Sequence, residues 1–171
     1  MKYFTISEML KSDTALKMGI WNGANLEHEE NMRALVENVL DPLRARYGHP
    51  IYVSSGYRCP KLNKAVNGAL NSQHMRGEAA DIYAKGIGDG GSQSAMTTPG
   101  DENLKLAQMI AEAGNFDQMI LEEVPENSLE PRWIHVSYKR NGWNRKNILK
   151  KVAGKPGYIT IKKEDVLGIT E

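Results

Sequence analysis

Ser72-Gln73-His74-Met75-Arg76-Gly77-Glu78-Ala79-Ala80-Asp81 sets two potential metal ligands, His74 and Asp81, on either side of a Gly/Ala-rich turn. Gly77 can take a backbone angle closed to residues that carry a Cβ, and Ala79 and Ala80 leave room for close packing beside an ion. One His next to a glycine is ordinarily a loop residue, since most His side chains bind no metal. The weight comes from a second His in Trp133-Ile134-His135-Val136-Ser137-Tyr138. On a strand side chains alternate, so Trp133, His135 and Ser137 face one way and Ile134, Val136 and Tyr138 the other. Two imidazoles and one carboxylate form a three-ligand set that leaves a fourth tetrahedral position for water, as catalytic zinc sites require. The same three groups also make the facial triad of non-haem iron oxygenases.

The pattern His74-x-x-Gly77-x-Ala79-x-Asp81, with Ser72 two residues ahead and the Trp-bearing segment of His135 behind, resembles the D-alanyl-D-alanine peptidases, the M15 or hedgehog/DD-peptidase group. The resemblance implies one Zn2+ held by His74, Asp81 and His135, with Ser72 and Trp133 lining the substrate site. It implies a peptidoglycan stem peptide as substrate, cut next to D-Ala by a carboxypeptidase or an endopeptidase. Ser55-Gly56-Tyr57-Arg58 matches a family segment whose arginine reaches the cleft. A guanidinium offers a planar fork suited to a terminal carboxylate or to the oxygen that gains charge during hydrolysis. A surface ion pair is the plainer use of Arg58. The wider spacing from His74 to Asp81, together with the resemblance, argues against iron.

Zinc hydrolysis of a peptide needs a base for the attacking water and an acid for the leaving amine, and one carboxylate can serve as both. Better-known members carry an acidic residue three positions, or a His two positions, before the last metal His. Those positions are Arg132 and Trp133 here, and neither is a general base. The phage-type branch of the group places a Glu at the end of the preceding strand, which points to Glu122, with Glu123 and Glu130 as rivals. The missing acid before His135 keeps an alternative in view: a non-catalytic, metal-containing cell-wall-binding or phage structural protein.

A chain of 171 residues suits one domain with a real core. The formal net charge of +1, from 22 basic and 21 acidic residues, gives no bulk attraction for nucleic acid. A basic run from Lys139 to Lys151 reads first as a solvated face and second as a surface for an anionic wall polymer. Cys59 is the only cysteine, so an intrachain disulfide and a thiolate metal cluster are both excluded. No apolar run approaches the roughly 20 residues of a membrane span, and the N-terminus lacks signal-peptide features. The expectation is a monomer made in the cytoplasm whose site of action is the cell wall or periplasm.

The local pattern predicts a short helix capped by Ser7, a further turn opened by Ser12 or Asp13, and an amphipathic helix over 27–46 with Pro42 kinking it. A β-branched strand follows at 51–55, and a short helix and turn at 62–70 stop at Asn67-Gly68. After a strand at 80–84, the Gly/Ser/Thr-rich stretch 86–102 reads as a flexible insertion, and helical spacing resumes from Glu102 to Ala113. Strands are expected at 117–122 and 132–138, an edge strand at 157–161 and a last turn at 164–167. The fold class that results is α+β: a small, mainly antiparallel sheet with helices packed on one face and the site on the other.

Overall fold

The computed structural model describes residues 1–86 and 98–169. Most of the insertion expected at 86–102 therefore lies outside the described residues. Its far end does not: Pro99–Ala113 is helix α6, opened by a capping box in which Thr98 and Asp101 exchange hydrogen bonds. The helix starts three residues earlier than apolar spacing indicates, because Pro99 supplies a preset φ at the first position and Thr98 satisfies an orphan N–H.

The chain is α+β. Short helices α1 (Ile6–Leu10) and α2 (Asp13–Lys17) lead into α3 (Leu26–Leu35), which passes through a π-turn at Val36–Leu40 into α4 (Asp41–Tyr47). Thr5, rather than Ser7, caps α1, since its hydroxyl accepts from the Glu8 amide while the Glu8 carboxylate accepts from the Thr5 amide. The π-turn is the answer to Pro42, which has no N–H for the carbonyl one turn back. That carbonyl, of Asn38, accepts from the Asn115 amide at 3.0 Å instead.

Six strands form one sheet in the order β1-β2-β4-β3-β5-β6: β1 (Tyr52–Ser55), β2 (Ala79–Tyr83), β3 (Gln118–Val124), β4 (Trp133–Ser137), β5 (Asn147–Val152) and β6 (Ile159–Thr160). All neighbours are antiparallel except β3 and β5. Strand β5 corrects the reading of 139–151 as a solvated basic face. Ile148 and Val152 are buried in it, and Arg145 and Lys139 bind Asp117 while Arg140 binds Glu30. Alternation in Asn147–Val152 is masked by Lys150 and Lys151, whose stems border the sheet while their ammonium groups reach water.

One face of the sheet carries Ala80, Ile82, Met119, Leu121, Ile134 and Val136, all fully buried against Met32, Leu35, Leu40, Leu106 and Ile110 of the helices. Each Leu, Ile, Val or Met among these contributes about 1.5–3 kcal/mol of burial free energy. α6 joins α3 and α4 in this layer, so the covering helices are not drawn from the N-terminal half alone. Helix α5 (Pro60–Ala65) begins at Pro60, earlier than expected, with Cys59 as its extended cap residue. It packs Leu62 on Ala15 and Ile20 in a separate small cluster. Helix α7 (Lys163–Leu167) closes the described chain against α6. Among the described residues, no helix is long and apolar enough to cross a membrane.

Candidate metal centre

Asp81 of β2 and His135 of β4 are directly opposite each other in register, so both side chains rise from the same face of the sheet, away from the helical layer. His74 comes from a single turn of 3₁₀ helix, Gln73–Arg76, that delivers the chain into β2. Gly77 ends this turn at φ +71°, and a Cβ there would lie 2.4 Å from the His28 carbonyl oxygen. Asn31 of α3 donates to the Arg76 carbonyl, so the turn is pinned to the helix beneath it.

The three side chains meet. His74 Nε2 lies 3.2 Å from Asp81 Oδ1 and 3.1 Å from His135 Nδ1, and His135 Nδ1 lies 3.1 Å from Asp81 Oδ1. The Gly56 carbonyl, 2.7 Å away, accepts the Nδ1 proton of His74 and so leaves Nε2 as a bare lone pair in the neutral ring. Gly56 is held tightly itself, since a Cβ on it would meet the Met9 carbonyl oxygen at 2.2 Å. Burial lowers the pKa of the His74 imidazole, against the pull of Asp81, and favours that neutral ring. Burial would raise the Asp81 carboxyl, but the two imidazoles hold it well below the usual carboxylate range. An anionic oxygen and imidazole lone pairs converging within 4.8 Å are a set of acceptors that a cation satisfies. The residues present therefore fit a divalent ion of the kind bound by nitrogen and oxygen donors.

Arg58 is no surface ion pair. Its side chain is 17% exposed, its Nη2 lies 3.9 Å from Asp81 Oδ2, and its Nε is buried with no hydrogen-bond partner among the described residues. Burial lowers its pKa, opposed by the Asp81 charge. The loop that carries it is clamped by Asn22, which donates to the Leu10 and Tyr57 carbonyls and accepts from the Cys59 amide. The Arg58 amide itself donates to the His74 carbonyl. Nothing in the run around Asn22 marks it in the sequence as a clamp, because all its partners are distant backbone groups.

Glu122 of β3 pairs with Trp133 of β4, so both sit on the ligand face, one step along the strands from His135. The register between β3 and β5 slips between Leu121 and Val124, and Glu123 takes φ +52° there. Such a bulge re-aims the side chains beside it. Glu122 is half-buried, and its pKa is pushed up to about 7, first by burial and then by the Asp81 charge, against the effect of His135. Glu130 is exposed in the β3–β4 turn. The register brings Glu122 to the ligand face, and no contact of Glu123 or Glu130 with the three ligand side chains is seen among the described residues. Ser72 opens the 3₁₀ turn through its backbone, without a side-chain cap bond. Trp133 is half-buried, and β4 is stitched at this end by the buried Asn103, which donates to the Pro131 and Arg132 carbonyls.

Two further residues at this face escape a reading by motif. Lys151 on β5 lies beside Glu122, and Tyr158 has its phenol pKa raised by partial burial and by the charges of Glu122 and Asp81. Both belong to the C-terminal strands, whose place in the sheet depends on non-local pairing. A family model described as Peptidase M15 matches residues 2–137, a span that includes His74, Asp81, His135, Arg58 and Glu122. Comparison with curated proteins finds no match.

Proposed function

Since the chain belongs to the Peptidase M15 family, we propose that it is a zinc-dependent peptidoglycan peptidase that cleaves a peptide bond next to D-Ala in a wall stem peptide. The observation that carries this reading is the convergence of His74 Nε2, Asp81 Oδ1 and His135 Nδ1, with Glu122 on the same face. Family membership supports a metallopeptidase; zinc and the wall peptide are our reading of the donor set and of the motif.

In this reading His74, Asp81 and His135 hold one Zn2+, which when bound supplies an activated water and a polarised carbonyl. Glu122 takes the proton of the attacking water and returns it to the leaving amine, a task suited to a carboxyl whose burial brings it near neutrality. Arg58 turns its donors toward the carbonyl oxygen as charge develops on it, in a site where burial strengthens the interaction. Trp133 and Ser72 border the substrate. In this reading the protein works as a monomer at the cell wall or periplasm.

The test combines metal analysis with turnover. The purified protein is expected to contain one zinc per chain and to release D-alanine, or a D-Ala-linked amine, from synthetic stem peptides. Chelation should stop the release and added zinc restore it. A zinc-loaded protein that cleaves no D-Ala-containing wall peptide would sink this reading in favour of a non-catalytic wall-binding role.

A further inference from the structure

Glu122 and Arg58 stand on opposite flanks of the ligand cluster. Asp81 and His135 occupy the adjacent strands β2 and β4; Glu122 is on β3, beyond β4, and Arg58 follows β1, beyond β2. A group that returns its proton to the departing amine must sit on the amine's side of the scissile bond. The departing part of a substrate then runs over β3 and β5, and the acyl part runs the other way, past Arg58.

On that acyl side the protein has a cleft of about 660 Å³, bordered by Asp81, Arg58 and Tyr52 and by Glu8, Lys11 and Asp13 of α1, α2 and the turn between them. The cleft borders the metal centre at Asp81 and Arg58, which line it. Among the described residues β1 pairs only with β2, so it is a sheet edge whose outer backbone groups can pair with an extended chain. Arg58, whose Nε is buried without a partner among the described residues, lines this cleft beside Asp81. On the other flank, Leu121 pairs with Lys150, which puts Lys151 beside Glu122. The β5–β6 register, carried one residue beyond Lys150↔Ile159, sets Tyr158 opposite Lys151.

We infer that the cleft between β1 and the α1–α2 turn is the acyl-side subsite: an extended peptide N-terminal to the scissile bond lies along β1, and Glu8, Lys11 and Asp13 read its charges. The leaving portion passes Trp133 and Glu122 toward Lys151 and Tyr158. This direction gives Arg58 the carbonyl oxygen rather than a terminal carboxylate. It rests on the peptidase reading for which bond end is acyl, but the location of the peptide is testable without turnover.

Amide chemical-shift mapping on the ¹⁵N-labelled, zinc-loaded protein tests it with two product probes, N-acetyl-L-Lys-D-Ala and D-alanine. The acyl product should shift the amides of Lys11 to Thr14 and Tyr52 to Ser55. D-Alanine should shift those of Lys150, Lys151 and Tyr158 to Thr160. The reverse pattern, shifts confined to the ligand residues, or no shifts from the acyl product at millimolar concentration would each overturn the assignment. Lys11→Glu adds a kinetic arm. It should change the ratio of kcat/KM between substrates with an acidic and a neutral acyl-side residue by up to about 5-fold, the upper scale of an exposed ion pair, and an unchanged ratio counts against the subsite. If no wall peptide is hydrolysed, the peptidase reading fails on its own, while the shift map still places or displaces the acyl peptide.

Discussion

Asp81, partly buried, and Asp117, fully buried, are two carboxylates of the same sheet region, and the atoms around them differ in kind. Asp117, fully buried just before β3, is surrounded by donors. It accepts from the Arg145 amide, Nε and Nη2 and from Gln73 Nε2, with the Lys139 ammonium 3.4 Å away. Asp81 Oδ1 faces two imidazole nitrogens at 3.1 and 3.2 Å, and one of these, His74 Nε2, has its lone pair directed inward because Nδ1 donates elsewhere. One carboxylate has its partners supplied by the fold. The other is placed among groups that compete for a positive charge. Burial would raise both carboxyls, and in both the neighbours prevail and hold them low. The lesson is that a depressed carboxyl alone does not mark a site; the identity of its partners does.

The largest expected effect breaks the comparison on the Asp81 side. His135→Ala should abolish stoichiometric zinc and all measurable turnover, as read by plasma emission and by peptide release. Chelation should then lower the melting temperature of the wild type but not of the variant, since an ion at 100-fold its Kd stabilises by about 2.7 kcal/mol. One zinc per chain in the variant, at unchanged affinity, would show that the ligand set is wrong.

Glu122→Gln comes next. It keeps shape and hydrogen bonding but cannot accept the proton, so hydrolysis should fall by ~10²-fold or more with zinc retained. Near-normal hydrolysis would remove Glu122 and move the search to Glu123 and Glu130.

Asp117→Asn should do the opposite of His135→Ala. It leaves the partly exposed Arg145 and Lys139 without their anion, and urea denaturation should show a loss of about 1.5–3 kcal/mol, the scale of a hydrogen bond to a charged group, with zinc stoichiometry intact. Loss of metal with little loss of stability would mean that Asp117 serves the site through Gln73 rather than the fold.

The smallest effect is in the acid limb of the stability curve. The folded pKa of Asp117 lies below its ordinary 3.8. Below pH 3.8 the unfolded chain binds a proton that the folded chain does not, so stability rises with pH there. The contribution is fully present above pH 3.8 and is lost as pH falls toward the folded value. In chelated protein Asp117→Asn should flatten this limb below pH 4, and an unchanged limb would assign the acid sensitivity to the other carboxyls held low, Asp81 and Asp101.

Much of the candidate site was legible in the residues themselves. His74, Gly77 and Asp81 lie within one short stretch, and period-2 alternation correctly put Trp133 and His135 on one face and Ile134 and Val136 on the other. Glu122 was named there only with Glu123 and Glu130 as rivals, and the pairing of β3 with β4 is what brings it to that face. The cap of α1 is Thr5 rather than Ser7, and the Thr-x-x-Glu spacing of Thr5 and Glu8 is its local sign. Two features were not legible. The parallel strand β5 was hidden under Lys150 and Lys151. The clamp by Asn22 involves no pattern at all.

By itself, the sequence determined what depends on neighbours within a few residues: the turn that presents His74, the two-sided strand of His135 and the apolar stripes of α3 and α6. Tertiary structure alone decided which of Glu122, Glu123 and Glu130 stands on the ligand face, how Arg58 is buried without a partner for Nε among the described residues, and which buried carboxylate is already satisfied. The physical reason is range. Helical and strand periodicity is written in local spacing, whereas register across a sheet, the bulge at Glu123 and the donors around Asp117 arise only when segments far apart in the chain are brought to within hydrogen-bonding distance.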